Sequence, residues 1–307
     1  MKKDDSTLRP EELDNVKKHA RKLLNEADAL GQLPTPVDRL VSTAKLIVNQ
    51  EVSLSQDESL LTRFSSNIGK IARPHLHGVK KLLGLLHVPS GEIWIDHSQH
   101  ESKKSFIKLH ETAHGFMPHQ KKMFEFMEDG MLELDSEIED KFEREANNFA
   151  AETLFQLDKF EKMAADYQIS IKTPLDLSKK FGASVYSSMR RYIQTHFAPL
   201  ALAVYDPPNS ANGSSQYRLR RDPMHSPAFM QRFGAIRFPI TCAESDYLGS
   251  ILWNKSKLHT YNSCAVKDLN GDIHECAIHI FSNSYEKFMM IIPLKKSSSR
   301  SSTFCLN

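Results

Sequence analysis

The chain has 307 residues, 40% of them hydrophobic and 25% charged, with a formal net charge of +2. That length allows two domains or one large one with additions, and the composition is that of a folded globular protein. Near-neutral charge gives no whole-chain case for nucleic acid, no apolar run is long enough to cross a bilayer, and Lys2 and Lys3 lead into no apolar signal segment. The cysteines Cys242, Cys264, Cys276 and Cys305 are few and lie in the last third, which fits reduced thiols and a cytoplasmic location.

Residues 9–32 read as a helix, because Leu13, Val16, Ala20, Leu23, Leu24 and Ala27 recur at helical steps. Leu33-Pro34-Thr35-Pro36 breaks it, and a second helix is expected over 37–48. Residues 79–96 read as a β-hairpin. Leu82, Leu83, Leu85, Leu86 and Val88 lead into the turn signal Pro89-Ser90-Gly91-Glu92, and Ile93-Trp94-Ile95-Asp96 resumes as a strand. Such a hairpin covers a neighbouring helix, and its edge can bind an extended peptide. The nearby histidines His75, His77, His87, His97 and His100 read as surface residues.

Residues 102–117 read as an amphipathic helix with Phe106, Leu109, Ala113, Phe116 and Met117 on its apolar stripe. Ser102 is its expected cap, and Gly115 with Pro118 its expected end. The helix contains H-E-x-x-H as His110-Glu111-Thr112-Ala113-His114. Residues four apart share a helix face, so His110 and His114 can present two imidazoles to one metal ion. Glu111 beside them can accept a proton from water on that metal, and two imidazoles plus a carboxylate suit Zn²⁺. So short a motif also arises by chance on a surface helix with two ordinary histidines, so its context must decide. His119 reads as a loop histidine, and residues 119–135 as an irregular, partly helical connection.

A strong helix is expected over 137–157, buried along Phe142, Ala146, Phe149, Ala150 and Leu154. Glu145 stands one turn from both Phe142 and Phe149, at the edge of that face. A carboxylate there needs a partner. A metal held by the histidines would serve, as would Lys141, Arg144 or water.

Phe106-x-x-x-His110-Glu111-x-x-His114, followed by Glu143-Arg144-Glu145-Ala146-Asn147-Asn148-Phe149-Ala150-Ala151-Glu152, resembles the ImmA/IrrE family of metallopeptidases. The hairpin ending Ile93-Trp94-Ile95-Asp96 and the segment Leu177-Ser178-Lys179-Lys180-Phe181-Gly182-Ala183-Ser184 fit that family too, so the resemblance spans about residues 10–197. It implies a compact zincin-like protease domain in which His110, His114 and Glu145 hold zinc and Glu111 is the general base. Glu143 is the rival third ligand; Glu145 is preferred because, like the family's ligand, it directly precedes Ala146-Asn147. The family commonly has a Gly-containing H-E-x-G-H core and an aliphatic run ending in Met-Pro. This chain has Thr112-Ala113 and Thr153-Leu154-Phe155-Gln156-Leu157 instead, changes that bear on the substrate cleft rather than the ligands.

Residues 170–197 read as helix, Gly182-Ala183-Ser184 turn and helix, an arrangement like a helix-turn-helix. Lys179, Lys180, Arg190 and Arg191 could touch phosphates, but the basic cluster is small and packing is the expected role. Beyond Ala198 the pattern turns to strands: Leu200–Tyr205, Tyr217–Arg220, Ala277–Ile280 and Phe288–Ile292, with a hairpin turn at Leu269-Asn270-Gly271-Asp272. Cys264, His274, Cys276 and His279 lack metal-site spacing and read as ordinary strand residues.

The expected organisation is α+β: a mostly helical zincin-like domain with a small β-hairpin over 1–165, a helical segment like a helix-turn-helix over 166–197, a C-terminal α+β domain over 198–296, and a disordered tail over 297–307. Relatives with a GAF-like sensor domain make regulation the implied role of the third part. The resemblance implies a zinc endopeptidase whose partner is a protein substrate, a repressor of the helix-turn-helix type, without direct nucleic-acid binding and without a membrane. The rival readings are a protein-binding regulator with a structural or vestigial metal, and a DNA-binding regulator using 170–197.

Overall fold

The computed structural model describes residues 6–50, 84–128, 135–208, 215–294 and 304–306. The chain divides into two compact units, residues 1–160 with 178–184, and residues 161–177 with 185–307. The boundaries expected at 165 and 197 are drawn differently from this division, in which the helices of 161–195 fall partly in each unit.

The first unit opens with α1 (Pro10–Glu26), which buries Val16, Ala20, Leu23 and Leu24 as its periodicity requires. A shorter helix, α2 (Val37–Thr43), follows. The helix expected to continue to 48 stops there because Lys45 adopts a positive φ of 61°, which a right-handed helix cannot include. The chain instead forms β1 (Ile47–Val48), parallel to β3 (Glu92–Ile95), and β2 (Gly84–His87) lies antiparallel on the other side of β3. The expected hairpin is therefore present from Gly84; Leu82 and Leu83 lie outside the described residues.

Helix α3 (Glu101–Phe116) carries the H-E-x-x-H motif and packs against β2, β3, α2 and α5 (Ser136–Leu154). Leu109 and Ala113 on α3, and Ala146, Phe149 and Ala150 on α5, are fully buried. The alanines let the two helices approach closely, and burying a Leu or Phe side chain stabilises by about 1.5–3 kcal/mol. One detail of α3 differs from expectation: His100, not Ser102, is the cap, its side chain accepting from the Ser102 backbone N–H at 3.3 Å. The helix ends at Phe116, between Gly115 and Pro118 as expected, and Gly115 also lets it pack, since a Cβ there would lie 3.1 Å from Leu46 and 3.2 Å from Leu86. The connection expected to be irregular and partly helical contains a helix, α4 (Pro118–Glu128), with Pro118 at its first turn, where a missing N–H costs nothing; residues 129–134 lie outside the described residues.

The second unit takes in α6 (Lys159–Ala165) from Glu161 onward, and α7 (Lys172–Phe181) up to Leu177. It also holds α8 (Val185–Thr195) and everything after it. Gly182, with φ of 70°, makes the turn between α7 and α8. The later strands are β4 (Ala201–Asp206), β5 (Tyr217–Leu219), β6 (Met224–His225), β7 (Thr241–Cys242), β8 (Leu258–Lys267), β9 (Ile273–Ser282), β10 (Lys287–Pro293) and β11 (Phe304–Leu306). They form one sheet of order β11-β8-β9-β10-β4-β5-β7, with β6 also on β4. Alternation does what it should: Ala201, Ala203, Tyr205, Cys276, Ile278, Ile280, Met289 and Ile291 face one core. Phe229 and Phe233 of α9 (Pro227–Phe233), and Leu248 and Ile251 of α10 (Tyr247–Leu252), fill it. The tail expected to be disordered ends in β11, which pairs in parallel with Cys264–Val266 of β8. The reason is that β8 would otherwise present an open edge of main-chain groups there.

Candidate metal centre

His110 and His114 stand four positions apart, and α3 places their rings on one face with Nε2 atoms 3.3 Å apart. Helix α5 delivers the third group. Glu143 Oε2 is 3.3 Å from His110 Nε2, and Glu143 Oε1 is 3.5 Å from His114 Nε2. Among the described residues, this is the one group of three His, Cys, Asp or Glu side chains gathered closely enough to share an ion, with donor atoms all within 4.8 Å.

Glu145, expected as the third ligand, is not in this group. Positions 143 and 145 differ by about 200° around a helix, so only one of them can face the histidines. Glu143 does. Glu145 is buried on the far side, where its Oε2 accepts from Gln120 Nε2 at 2.7 Å and lies 2.6 Å from His119 Nε2. Burial pushes its pKa up, but the hydrogen bonds of His119 and Gln120 and the charges of His119 and Lys141 outweigh that and lower it.

Both imidazoles are held from behind by amides. Asn147, one turn beyond Glu143 on α5, has its Oδ1 3.1 Å from His110 Nδ1. Gln120 has its Oε1 2.7 Å from His114 Nδ1. An amide oxygen only accepts, so each Nδ1 carries a proton, and in the neutral ring that a metal binds each Nε2 turns a lone pair inward. Two lone pairs and a carboxylate then converge on one spot, a donor set that fits a divalent cation. Two nitrogens about 2.0–2.1 Å from a tetrahedral zinc would stand roughly 3.3–3.4 Å apart, which is the spacing found. Burial opposes protonation of His110, and the charge and hydrogen bond of Glu143 outweigh it, raising its pKa to about 9.

Glu111 sits on the same helix, 8% exposed, with its carboxylate under the backbone of β2. A Cβ at Gly84 would lie 2.6 Å from Glu111 Oε1 and 2.6 Å from Ile107. A side chain at position 84 would therefore require the Glu111 carboxylate or the Ile107 side chain to shift. Helix α4 supplies an apolar wall: the Phe124 ring meets His114 edge-on at 5.4 Å and Phe142 at 6.0 Å.

Residues 69–191 match the family model described as the IrrE N-terminal-like domain of the M78 peptidases. This stretch of the chain is similar to that family's domain. The matched region of the IrrE N-terminal-like domain contains all of the residues just described. No curated protein matches the chain significantly. Among solved structures, a Mycobacterium tuberculosis transcriptional regulator superposes with a TM-score of 0.50 at 8% identity, over 91% of this chain and 76% of that one. At that identity the likeness is one of fold.

Sequence reasoning located His110, Glu111 and His114 and named Glu143 only as a rival. It missed Asn147, although Asn147 stands one helical turn from Glu143 and so shares its face. It missed Gln120 and Gly84 because their neighbours in sequence carry no sign of the site. Cys264, His274, Cys276 and His279 are not gathered into a metal group: His274 pairs with Asp268 at 2.7 Å, and the Cys276 thiol donates to the His274 carbonyl. No helix among the described residues is long and apolar enough to cross a membrane.

Proposed function

We propose that the chain is a zinc-dependent endopeptidase, with His110, His114 and Glu143 as metal ligands and Glu111 as general base. The observation that carries this is the convergence of two Nε2 lone pairs and the Glu143 carboxylate, beside a further carboxylate on the same helix. A divalent ion held there supplies Lewis acidity towards a peptide carbonyl and makes water more acidic. Glu111 takes the proton that the attacking water loses and returns it to the leaving amine. Its nearly buried position under β2 keeps that proton close to the scissile bond. Asn147 and Gln120 keep both imidazoles oriented.

The substrate class that the family resemblance implies is a transcriptional repressor with a helix-turn-helix domain, cut in the cytoplasm, and the solved structure of similar fold is itself a transcriptional regulator. The sheet domain after Ala198 is assigned a GAF-like regulatory role on the same ground. A metal kept for structure alone would be closed by a fourth protein ligand and would need no base, and Glu111 argues against that reading.

The test is metal content and cleavage on the same preparations. Glu111→Gln should keep about one zinc per chain and lose cleavage by at least about a hundredfold, the usual contribution of a positioned base. His110→Ala should lose the zinc. Cleavage by Glu111→Gln at the wild-type rate would remove the mechanism.

A further inference from the structure

Gln120 is wholly buried in the first turn of α4, within a run, Pro118-His119-Gln120-Lys121-Lys122, that looks like surface. A buried amide must spend its donors and acceptor on partners. Its oxygen lies 2.7 Å from His114 Nδ1, and its nitrogen donates to Glu145 Oε2 at 2.7 Å and towards the Phe142 carbonyl at 3.4 Å. The order of these bonds is directional. Glu145 can only accept, so it holds the NH₂ end of the amide and aims the oxygen at His114. The oxygen can only accept, so it holds the proton on Nδ1 and leaves Nε2 bare. A flipped amide would set its oxygen against the carboxylate and offer a donor to Nδ1, which favours the tautomer with its proton on Nε2. His119 Nε2 at 2.6 Å and Lys141 Nζ at 4.0 Å balance the Glu145 charge at the far end.

We propose that Gln120, oriented by Glu145, is a positioning residue for the metal: the pair fixes His114 in the tautomer whose Nε2 binds. Glu145 thus acts on the ion through two other side chains rather than as its ligand. The proposal rests on the metal reading above.

The experiment is a zinc competition titration against a chromophoric chelator, with thermal unfolding of each variant measured with and without zinc. Gln120→Met, which keeps the bulk, should weaken zinc binding by about ten- to a hundredfold, the usual cost of losing a group that orients a ligand. The unfolding temperature of its metal-free form should stay close to wild type. Glu145→Gln alone frees the amide to flip and should weaken binding less. The double exchange Gln120→Glu with Glu145→Gln reverses the chain of bonds: a carboxylate at 120 accepts from Nδ1 and from the new amide, whose oxygen accepts from His119. It should bring zinc affinity back to within a few-fold of wild type, as a packing role would not. Wild-type affinity in both Gln120→Met and Glu145→Gln would overturn the proposal and leave the metal site standing. An absence of zinc binding in the wild type would instead overturn the metal reading itself.

Discussion

The difference between Glu143 and Glu145 is one of azimuth. Both belong to one motif and both are acidic, so sequence could name the pair but not choose between them. The choice depends on how α5 is rotated against α3, which is set by the buried stripe Phe142, Ala146, Phe149 and Ala150. Glu143→Ala should therefore abolish stoichiometric zinc, whereas Glu145→Ala should retain it at reduced affinity; elemental analysis after dialysis at limiting zinc separates the two. Gly84 gives a second expectation. Gly84→Ala places a methyl group 2.6 Å from Glu111 Oε1, closer than van der Waals contact, so the carboxylate must shift. Zinc content should persist while cleavage falls by about tenfold or more, because general-base catalysis depends on reach. His110 gives a pH expectation. Its folded pKa of about 9 lies above the ordinary 6.5, so in metal-free protein it stabilises fully below about 6.5, and that contribution is lost as pH rises through about 9. Unfolding temperatures of chelated wild type and His110→Gln, compared at about pH 6 and about pH 10, should differ more at the lower pH.

Elements were legible where their period was clean. Helices α1, α3 and α5 each show an apolar stripe at three- and four-residue steps; α3 and α5 form within a few residues of expectation, and α1 starts where expected but ends at Glu26, six residues short of the expected 32. Helix α4 was legible only in part: its Phe, Met and acidic residues show no clear stripe, and what packs it is Phe124 meeting His114 of α3 and Phe142 of α5. Helix α5 begins at Asp135, whose carboxylate accepts from the Glu137 N–H at 2.8 Å. Asp135→Ala should cost about 0.5–2 kcal/mol in chemical denaturation. Helices α7 and α8 take the expected form of helix, turn and helix, but Arg191, one of the four cations offered to phosphates, is paired with Glu161 at 2.7 Å. That pairing favours packing over nucleic acid as its role.

At the scale of the molecule, the apolar patterns correctly indicated a mixed α and β chain: alternation marked β5 and β9, and continuous apolar runs marked β4 and β10. The order of the sheet was not legible, because β4 lies beside β10 across more than eighty intervening residues and no local pattern records such a pairing. The metal group lies wholly in the first unit, and the chain's two tryptophans fall one in each: Trp94 in β3 and Trp253 after α10. Fluorescence of Trp253→Phe therefore follows the first unit, and that of Trp94→Phe the second. Added zinc should raise the unfolding temperature more in the first read-out than in the second, since a ligand stabilises what holds it.

The hairpin sets a length standard for the placement of Glu111. Gly84 stands opposite Ile95 because the turn closed by Gly91, with φ of 68°, fixes how many residues separate the two strands. Deleting one residue of that turn would slip β2 by one place and bring a leucine to the site opposite Ile95, with its side chain driven at Glu111. Glu111 would be displaced by a frame error in a segment that contributes no chemical group, so the spacing of the turn is under the same constraint as the motif itself.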